Sequence, residues 1–139
     1  VPDGNRVAIG QGVQVIFPPG FRTSIQHGQI GAFDDRGIVI AGGPIAVATD
    51  DPQQLAQLHA RSNGLVFESM QTIFVGGVQR PMAIFHGKVD KVAVRHVAVP
   101  LIGPGYRVAV MFQAPTSLMT DPTIQAMVLE LYTRRIVLP

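Results

Sequence analysis

The sequence predicts an α+β fold, in which a central antiparallel sheet of about six strands carries helices on its faces. Two observations lead to this prediction: long β-branched runs are joined by short turns, and two other segments begin with aspartate followed by proline, as helices do. The middle strands are apolar at nearly every position, which indicates that both of their faces are covered. A chain of 139 residues has the size of one domain, so residues 1–139 are expected to form a single unit.

The first part of the chain contains strand signals separated by turns. Val13–Phe17 is rich in β-branched and apolar residues, and a Pro-Pro-Gly sequence ends it. Residues 30–40 predict a hairpin around the turn sequence Asp34-Asp35-Arg36-Gly37. Gly42-Gly43-Pro44 is expected to interrupt the chain, after which residues 45–48 continue in extended form.

The first helix is predicted from its two ends. An aspartate caps free backbone N–H groups, and a proline at the first helical position has no N–H to leave unsatisfied. The pair Asp50-Asp51 therefore begins a helix over 52–62, which Gly64 ends. Leu55 and Leu58 give it an apolar stripe at helical spacing.

The second helix is predicted over 122–135, with Thr120 or Asp121 as its N-cap. Four apolar residues recur on one face at helical spacing: Ile124, Met127, Val128 and Leu131. Arg134 and Arg135 fall in its last turn, where positive charge offsets the helix dipole.

Between the helices the sequence predicts an antiparallel meander. Its turns are Gly76-Gly77, Asp90-Lys91 and Gly103-Pro104-Gly105. The four strands that these turns connect are expected at Val66–Val75, Val78–Val89, 92–101 and 106–113.

This order of elements resembles the PsbP-like or Mog-like α/β/α sandwich superfamily over about residues 11–136. The matching features are the opening strand with its proline turn, the helix near 51–63, the meander over 66–113 and the closing helix over 121–135. The superfamily includes photosystem II extrinsic proteins, a Ran-binding import factor, DcrB-like lipoproteins and chaperones of type VI secretion effectors. The resemblance implies a non-enzymatic protein that binds or assembles partners, and it implies no catalytic residues.

Composition excludes several classes of protein. Apolar residues make up 47% and charged residues 14% of the chain, which excludes a disordered chain. Cysteine is absent, so disulfides, thiolate metal sites and cysteine catalysis are excluded. A formal charge of +2 without a long basic run argues against nucleic-acid binding. No run is long and apolar enough for a transmembrane helix. The sequence begins without a Met, so either a targeting segment has been removed or the chain has been trimmed. Together with nine Arg against two Lys, this start favours a bacterial extracytoplasmic protein over a cytoplasmic one.

Histidines are the main residues that suggest a metal; the alternative, a calcium ion at the paired aspartates, is supported by no EF-hand pattern. Of the four, His27, His59, His86 and His96, the last two lie on neighbouring predicted strands. In one register they would be opposite each other and could ligate zinc, whereas a slip of one residue would place them on opposite faces. No histidine spacing supplies a third ligand, so neither a metal nor another cofactor is predicted. The serines lack a nucleophile elbow, and turn formation and helix capping explain the paired aspartates.

We therefore expect a non-enzymatic binding or assembly module that holds a partner polypeptide, or a second copy of itself, through an apolar sheet face or groove. The alternative is an enzyme that binds a small ligand or a metal in a histidine-lined pocket. The expected partner-binding residues combine basic side chains of the meander with apolar residues of its later strands: Arg80, His86, Lys88, Arg95, His96, Leu101 and Met111.

Overall fold

A computed structural model of the chain describes residues 2–26 and 28–139 and contains ten strands and two α-helices over that range. The strands of the first half are β1 (Asn5–Gly10), β2 (Val13–Phe17), β3 (Arg22–Gln26), β4 (Gln29–Phe33) and β5 (Val39–Pro44). The later strands are β6 (Val66–Val75), β7 (Val78–Val89), β8 (Val92–Gly103), β9 (Tyr106–Pro115) and β10 (Ile136–Val137). Helix α1 spans Pro52–Asn63 and helix α2 spans Pro122–Arg134.

Seven strands form the main sheet, in the order β3-β4-β5-β9-β8-β7-β6, and every neighbouring pair is antiparallel. The fold is therefore α+β, as the sequence predicts, but this sheet is larger than six strands. Within this sheet, the strand missing from the prediction is β3, whose sequence Arg-Thr-Ser-Ile-Gln is too polar to give a strand signal. A polar strand is tolerated there because β3 lies at the edge of the sheet and faces water.

The predicted strand β2 is confirmed, but it belongs to a second sheet with the order β1-β2-β10. Three of its residues, Val13, Val15 and Phe17, are fully buried in the same hydrophobic core as the middle strands of the main sheet. Helix α2 contributes Ile124, Leu131 and Tyr132 to that core. The small sheet and α2 thus cover one face of the main sheet, and α1 lies on the other.

The cap predictions for both helices are confirmed. The Asp51 carboxylate accepts a hydrogen bond from the backbone N–H of Gln54, and Gly64 ends α1 in a left-handed conformation with a φ of 65°. Of the two candidate caps for α2, Asp121 is the one that caps, through the N–H of Thr123. Neither helix of the described chain is long and apolar enough to cross a membrane.

The buried stripe of α1 differs from the predicted one. Ala56 and Ala60 are the buried residues, whereas Leu55 and Leu58 are only half-buried. Helix α1 therefore approaches the sheet through small side chains, which leaves space beside them.

The sequence Gly42-Gly43-Pro44 does not interrupt the chain but forms the end of β5. A Cβ atom at Gly42 would lie 2.8 Å from Cδ1 of Ile9, so the glycine lets β1 pack closely against β5. Residues 45–48, predicted to be extended, belong instead to an irregular segment over 45–51 that leads into α1.

The register of β7 and β8 decides the histidine hypothesis. Asp90 and Lys91 both have positive φ, 50° and 68°, so they form a two-residue hairpin turn that fixes Val89 opposite Val92. Counting back from the turn places His86 opposite Arg95, and His96 opposite Phe85. His86 and His96 therefore point to opposite faces of the sheet, and of the two registers that the sequence leaves open, the one that separates them is observed.

Candidate functional site

An apolar groove with a volume of about 220 Å³ lies between α1 and the main sheet and is partly open to solvent. We call it the α1 groove. Six small or cyclic residues from four neighbouring strands form most of its floor: Gly43, Pro81, Ala83, Ala98, Pro100 and Ala109. The segment before α1 forms one wall with Ile45, Ala46 and Val47.

The α1 groove exists because small residues face each other across it. The strand register places Ala83 beside Ala98 and Gly43 beside Ala109, while α1 contributes only Ala56 and Ala60 as buried residues. Protein interiors are normally packed without large voids. With alanine and glycine at the centre of the floor and alanine on the helix, the gap between them stays unfilled, although longer side chains such as Met70 and Met111 also line the groove.

The two prolines of the floor mark a place where the main sheet separates. The ladder between β7 and β8 begins at Ala83 and Ala98, so Pro81 and Pro100 lie just beyond its end. Proline has no N–H to donate to a ladder, which explains why pairing stops there.

Arg107 on β9 fixes the wall of the groove. Its guanidinium forms an ion pair with Asp50, at 2.6 Å, and donates to the backbone carbonyls of Val47 and Thr49 at 3.1 Å and 2.9 Å. Asp50 therefore anchors this wall segment, a role beyond the turn and cap function that the sequence predicts.

A pair of histidines stands at one end of the α1 groove. His59 of α1 lines the groove, and its Nε2 lies 2.8 Å from Nε2 of His96 on β8. The two rings are 4.9 Å apart, and each contacts the Phe85 ring at 5.3 Å or 5.6 Å. Among the described residues, no other hydrogen bond between two side chains connects α1 to the sheet.

The neighbours of the pair determine which ring nitrogens carry protons. His96 Nδ1 lies 2.9 Å from the Gln113 side-chain oxygen, so it is the donor, and its Nε2 is left as an acceptor. His59 Nε2–H therefore donates to His96, and His59 Nδ1 accepts from the Asn63 amide at 3.2 Å. Both rings are neutral, and all four ring nitrogens have a partner.

Burial disfavours a charge on either ring. Burial, helped by the nearby His96, lowers the pKa of His59 from 6.5 to about 4. Burial also lowers the pKa of His96, although the hydrogen bond to Gln113 opposes the effect. Both histidines therefore stay neutral at physiological pH.

In the described part of the chain, the pair has no third ligand that would complete a metal centre. Within residues 2–26 and 28–139 no group of three His, Asp or Glu side chains comes together. His27, the remaining histidine, lies outside the described residues. A zinc site normally needs at least three protein ligands, and here only two imidazoles meet.

Three of the predicted partner-binding residues lie on the face of the sheet opposite α1. His86 and Arg95 both contact the carboxylate of Glu68, at 2.9 Å and 3.0 Å. His86 and Lys88 are exposed, while Arg95 is half-buried. His86 and Lys88 therefore remain candidate contacts for a partner, but they cannot contribute to the α1 groove.

The other four predicted residues are buried by the protein itself. Leu101 is fully buried in the core beneath α2, so it is not available to a partner in this fold. Met111 and His96 are 5% and 7% exposed, and only Met111 lines the α1 groove directly. The late apolar run of the meander is therefore mostly core.

Arg80 is also a structural residue rather than part of a basic surface patch. It is 7% exposed, and its guanidinium donates to the carbonyls of Val75 and Ile102 and to the Tyr106 hydroxyl, at 3.2–3.4 Å. Because the ladder between β7 and β8 has ended here, the guanidinium supplies donors that connect the separated strands.

Sequence reasoning missed His59, the residue that links α1 to the sheet. A signal for it exists: His59 precedes Ala60 and follows Ala56 by three positions, so it lies near the small-residue face of α1. The signal is weak because Leu55 and Leu58 form a more apolar stripe on the same helix.

Comparison with known proteins identifies the fold. No family model and no curated protein matches the sequence. A search of solved structures finds the cyanobacterial PsbP protein CyanoP from Synechocystis sp. PCC 6803, with a TM-score of 0.67 and 10% identity, covering 97% of this chain and 92% of that one. It also finds LpqN, involved in cell envelope biogenesis of Mycobacterium tuberculosis, with a TM-score of 0.49 and 11% identity, covering 90% and 82%. The chain has a PsbP-like fold, as the order of its elements predicts.

Proposed function

We propose that this protein is a non-enzymatic binding module that holds a partner polypeptide by taking one of its apolar side chains into the α1 groove. The observation that carries the proposal is the groove itself, an apolar space of about 220 Å³ between a floor of alanine, glycine and proline and a helix that contacts the floor through alanines. For comparison, an apolar protein cavity of about 150 Å³ holds benzene. The α1 groove therefore has room for an aromatic or branched aliphatic side chain.

A polypeptide partner fits the groove better than an isolated small molecule would. The groove is partly open to solvent, and Val47 on its wall is 37% exposed. A side chain that enters from outside leaves its own backbone at this apolar rim, where further contacts can form. Small-ligand sites, in contrast, enclose most of the ligand surface.

The enzyme alternative gains no support from the histidines of the groove. A general base needs a ring nitrogen within hydrogen-bond reach of the substrate. Here all four nitrogens of His59 and His96 are engaged by protein groups.

The extracytoplasmic location favoured by the sequence stays a prediction.

The proposal is tested by filling the groove. Ala109 faces the groove and is half-buried, so Ala109→Leu adds volume with little disturbance of the core. Ala126→Leu is the matched control, because Ala126 is exposed on α2. Peptides are first selected on the wild-type protein from a random library displayed on phage, and their affinities are then measured by fluorescence anisotropy.

We expect the selected peptides to share an aromatic or aliphatic anchor residue. Ala109→Leu should weaken their binding at least about tenfold, a change of about 1.4 kcal/mol, whereas Ala126→Leu should leave it unchanged. Circular dichroism serves to check that both variants fold. Equal binding by the Ala109→Leu variant and the wild type would refute the groove as the binding site, and concentration-dependent dimers without peptide binding would favour self-association instead.

A further inference from the structure

The four ring nitrogens of His59 and His96 all form hydrogen bonds, so adding a proton to either ring breaks one of the hydrogen bonds of the pair. Three protons on the four ring nitrogens leave two main arrangements. If both Nε2 atoms carry hydrogen, two donors face each other across 2.8 Å. If His59 Nδ1 takes the proton instead, it faces the donor amide of Asn63, which also donates to the backbone carbonyl of His59 at 2.9 Å. The neutral network is therefore saturated.

The surroundings of the pair offer no compensation for a positive charge. The rings pack against Phe85, and the hydrophobic cluster on this face of the sheet contains Ala98 and Met111. The described charged residues of the elements packed around the pair are Asp51, Arg61, Glu68, Arg80, His86, Lys88, Arg95 and Arg107.

Each of these charged groups is engaged elsewhere or faces away. Glu68 is bonded to His86 and Arg95 on the opposite face of the sheet, and the alternation of the strand places Lys88 there as well. Arg107 is paired with Asp50, Asp51 caps α1, and Arg61 is exposed. Arg80 donates to the backbone carbonyls of Val75 and Ile102. None of them forms an ion pair with either ring in the described structure, so a protonated pair would be stabilised mainly by water.

We propose that His59 and His96 form an acid-sensitive latch, which holds α1 against the sheet at neutral pH and releases the occupant of the α1 groove at acidic pH. The pair can serve in this way because it connects α1 to the sheet and His59 also lines the groove. Hydrating a charged pair requires α1 to move away from β8. The movement separates the groove from one of its walls, so the apolar occupant loses its contacts.

The latch rests on the proposed function, since the α1 groove must bind an occupant for release to matter. The fall in the pKa of His59 to about 4 supports it, because protonation then requires a pH below the neutral range. The trigger is therefore mild to moderate acid rather than a small shift around neutrality.

The test follows binding of an uncharged apolar fluorophore, N-phenyl-1-naphthylamine, at about pH 7 and about pH 4.5. The latch variant is His59→Gln with His96→Gln, which removes both titrating rings. The matched control is His86→Gln, which removes one exposed histidine from the other face of the sheet. We expect the dissociation constant to rise at least about tenfold on acidification in the wild type and the control, and less than about twofold in the latch variant.

A second measurement separates the latch from the proposed function. Hydrogen exchange of the α1 segment Pro52–Asn63, corrected for the intrinsic pH dependence and compared with α2, reports whether α1 loosens at acidic pH. Absence of fluorophore binding at neutral pH would count against the groove as a binding site. The hydrogen exchange of α1 would then be the measurement that tests the latch. Unchanged protection of α1 at acidic pH, or acid-dependent loosening that persists in the latch variant, would overturn the latch.

Discussion

Acidification should destabilise this protein through His59, and the structure gives the sign and the size of the effect. Above pH 6.5 the ring is neutral in both the folded and the unfolded chain, so it makes no contribution to pH dependence. Between pH 6.5 and about 4 the unfolded chain binds a proton that the folded chain does not, so the free energy of unfolding falls as the pH falls. At about 1.4 kcal/mol per pH unit, the loss reaches on the order of 3 kcal/mol near pH 4.

The assay is urea unfolding followed by far-ultraviolet circular dichroism at several pH values between about 7 and 4.5. Carboxylates also titrate at the acidic end of this range, so the comparison between variants isolates the histidines. The variant with His59→Gln and His96→Gln should lose clearly less stability on acidification than the wild type does. The His86→Gln control should follow the wild type, because His86 is exposed.

One result would refute the reasoning. If the double variant loses as much stability as the wild type between these pH values, the buried pair is not the source of the acid sensitivity. A lower stability of the double variant at neutral pH would not affect the conclusion, since the slope with pH is what the reasoning predicts.

Three further substitutions test the packing, each by urea unfolding. Leu131→Ala should cost about 2–5 kcal/mol because Leu131 is fully buried, while Leu129→Ala on the exposed face of the same helix should cost less than about 0.5 kcal/mol; similar values for the two would contradict the packing of α2. Arg80→Met should cost about 2–3 kcal/mol because it leaves buried oxygens without donors, whereas Arg95→Met, which breaks a half-exposed pair, should cost about 1 kcal/mol or less. Tyr132→Phe should cost about 1–2 kcal/mol, since it removes the buried bond to the Val110 carbonyl, and an unchanged stability would show that this carbonyl finds another donor.

The sequence alone determined those features that depend on residues close to one another along the chain. Aspartate before proline identified both helix starts, and Gly64 identified the end of α1, because capping requires only a local side chain or a permitted backbone conformation. The hairpin around Asp34-Asp35-Arg36-Gly37 was predictable for the same reason. The register of His86 and His96 was also implicit, since the two-residue turn at Asp90-Lys91 fixes it by counting.

Only the tertiary structure decided where the long-range partners meet. The Asn5–Gly10 strand and the short strand Ile136–Val137 carry weak signals of their own, and they become strands because each finds Val13–Phe17 as a neighbour. The α1 groove and the His59–His96 pair depend on how a helix with small buried residues settles on a floor of alanine and glycine. Such a contact joins residues 37 positions apart. It is governed by packing between two surfaces, which no local pattern along the chain encodes.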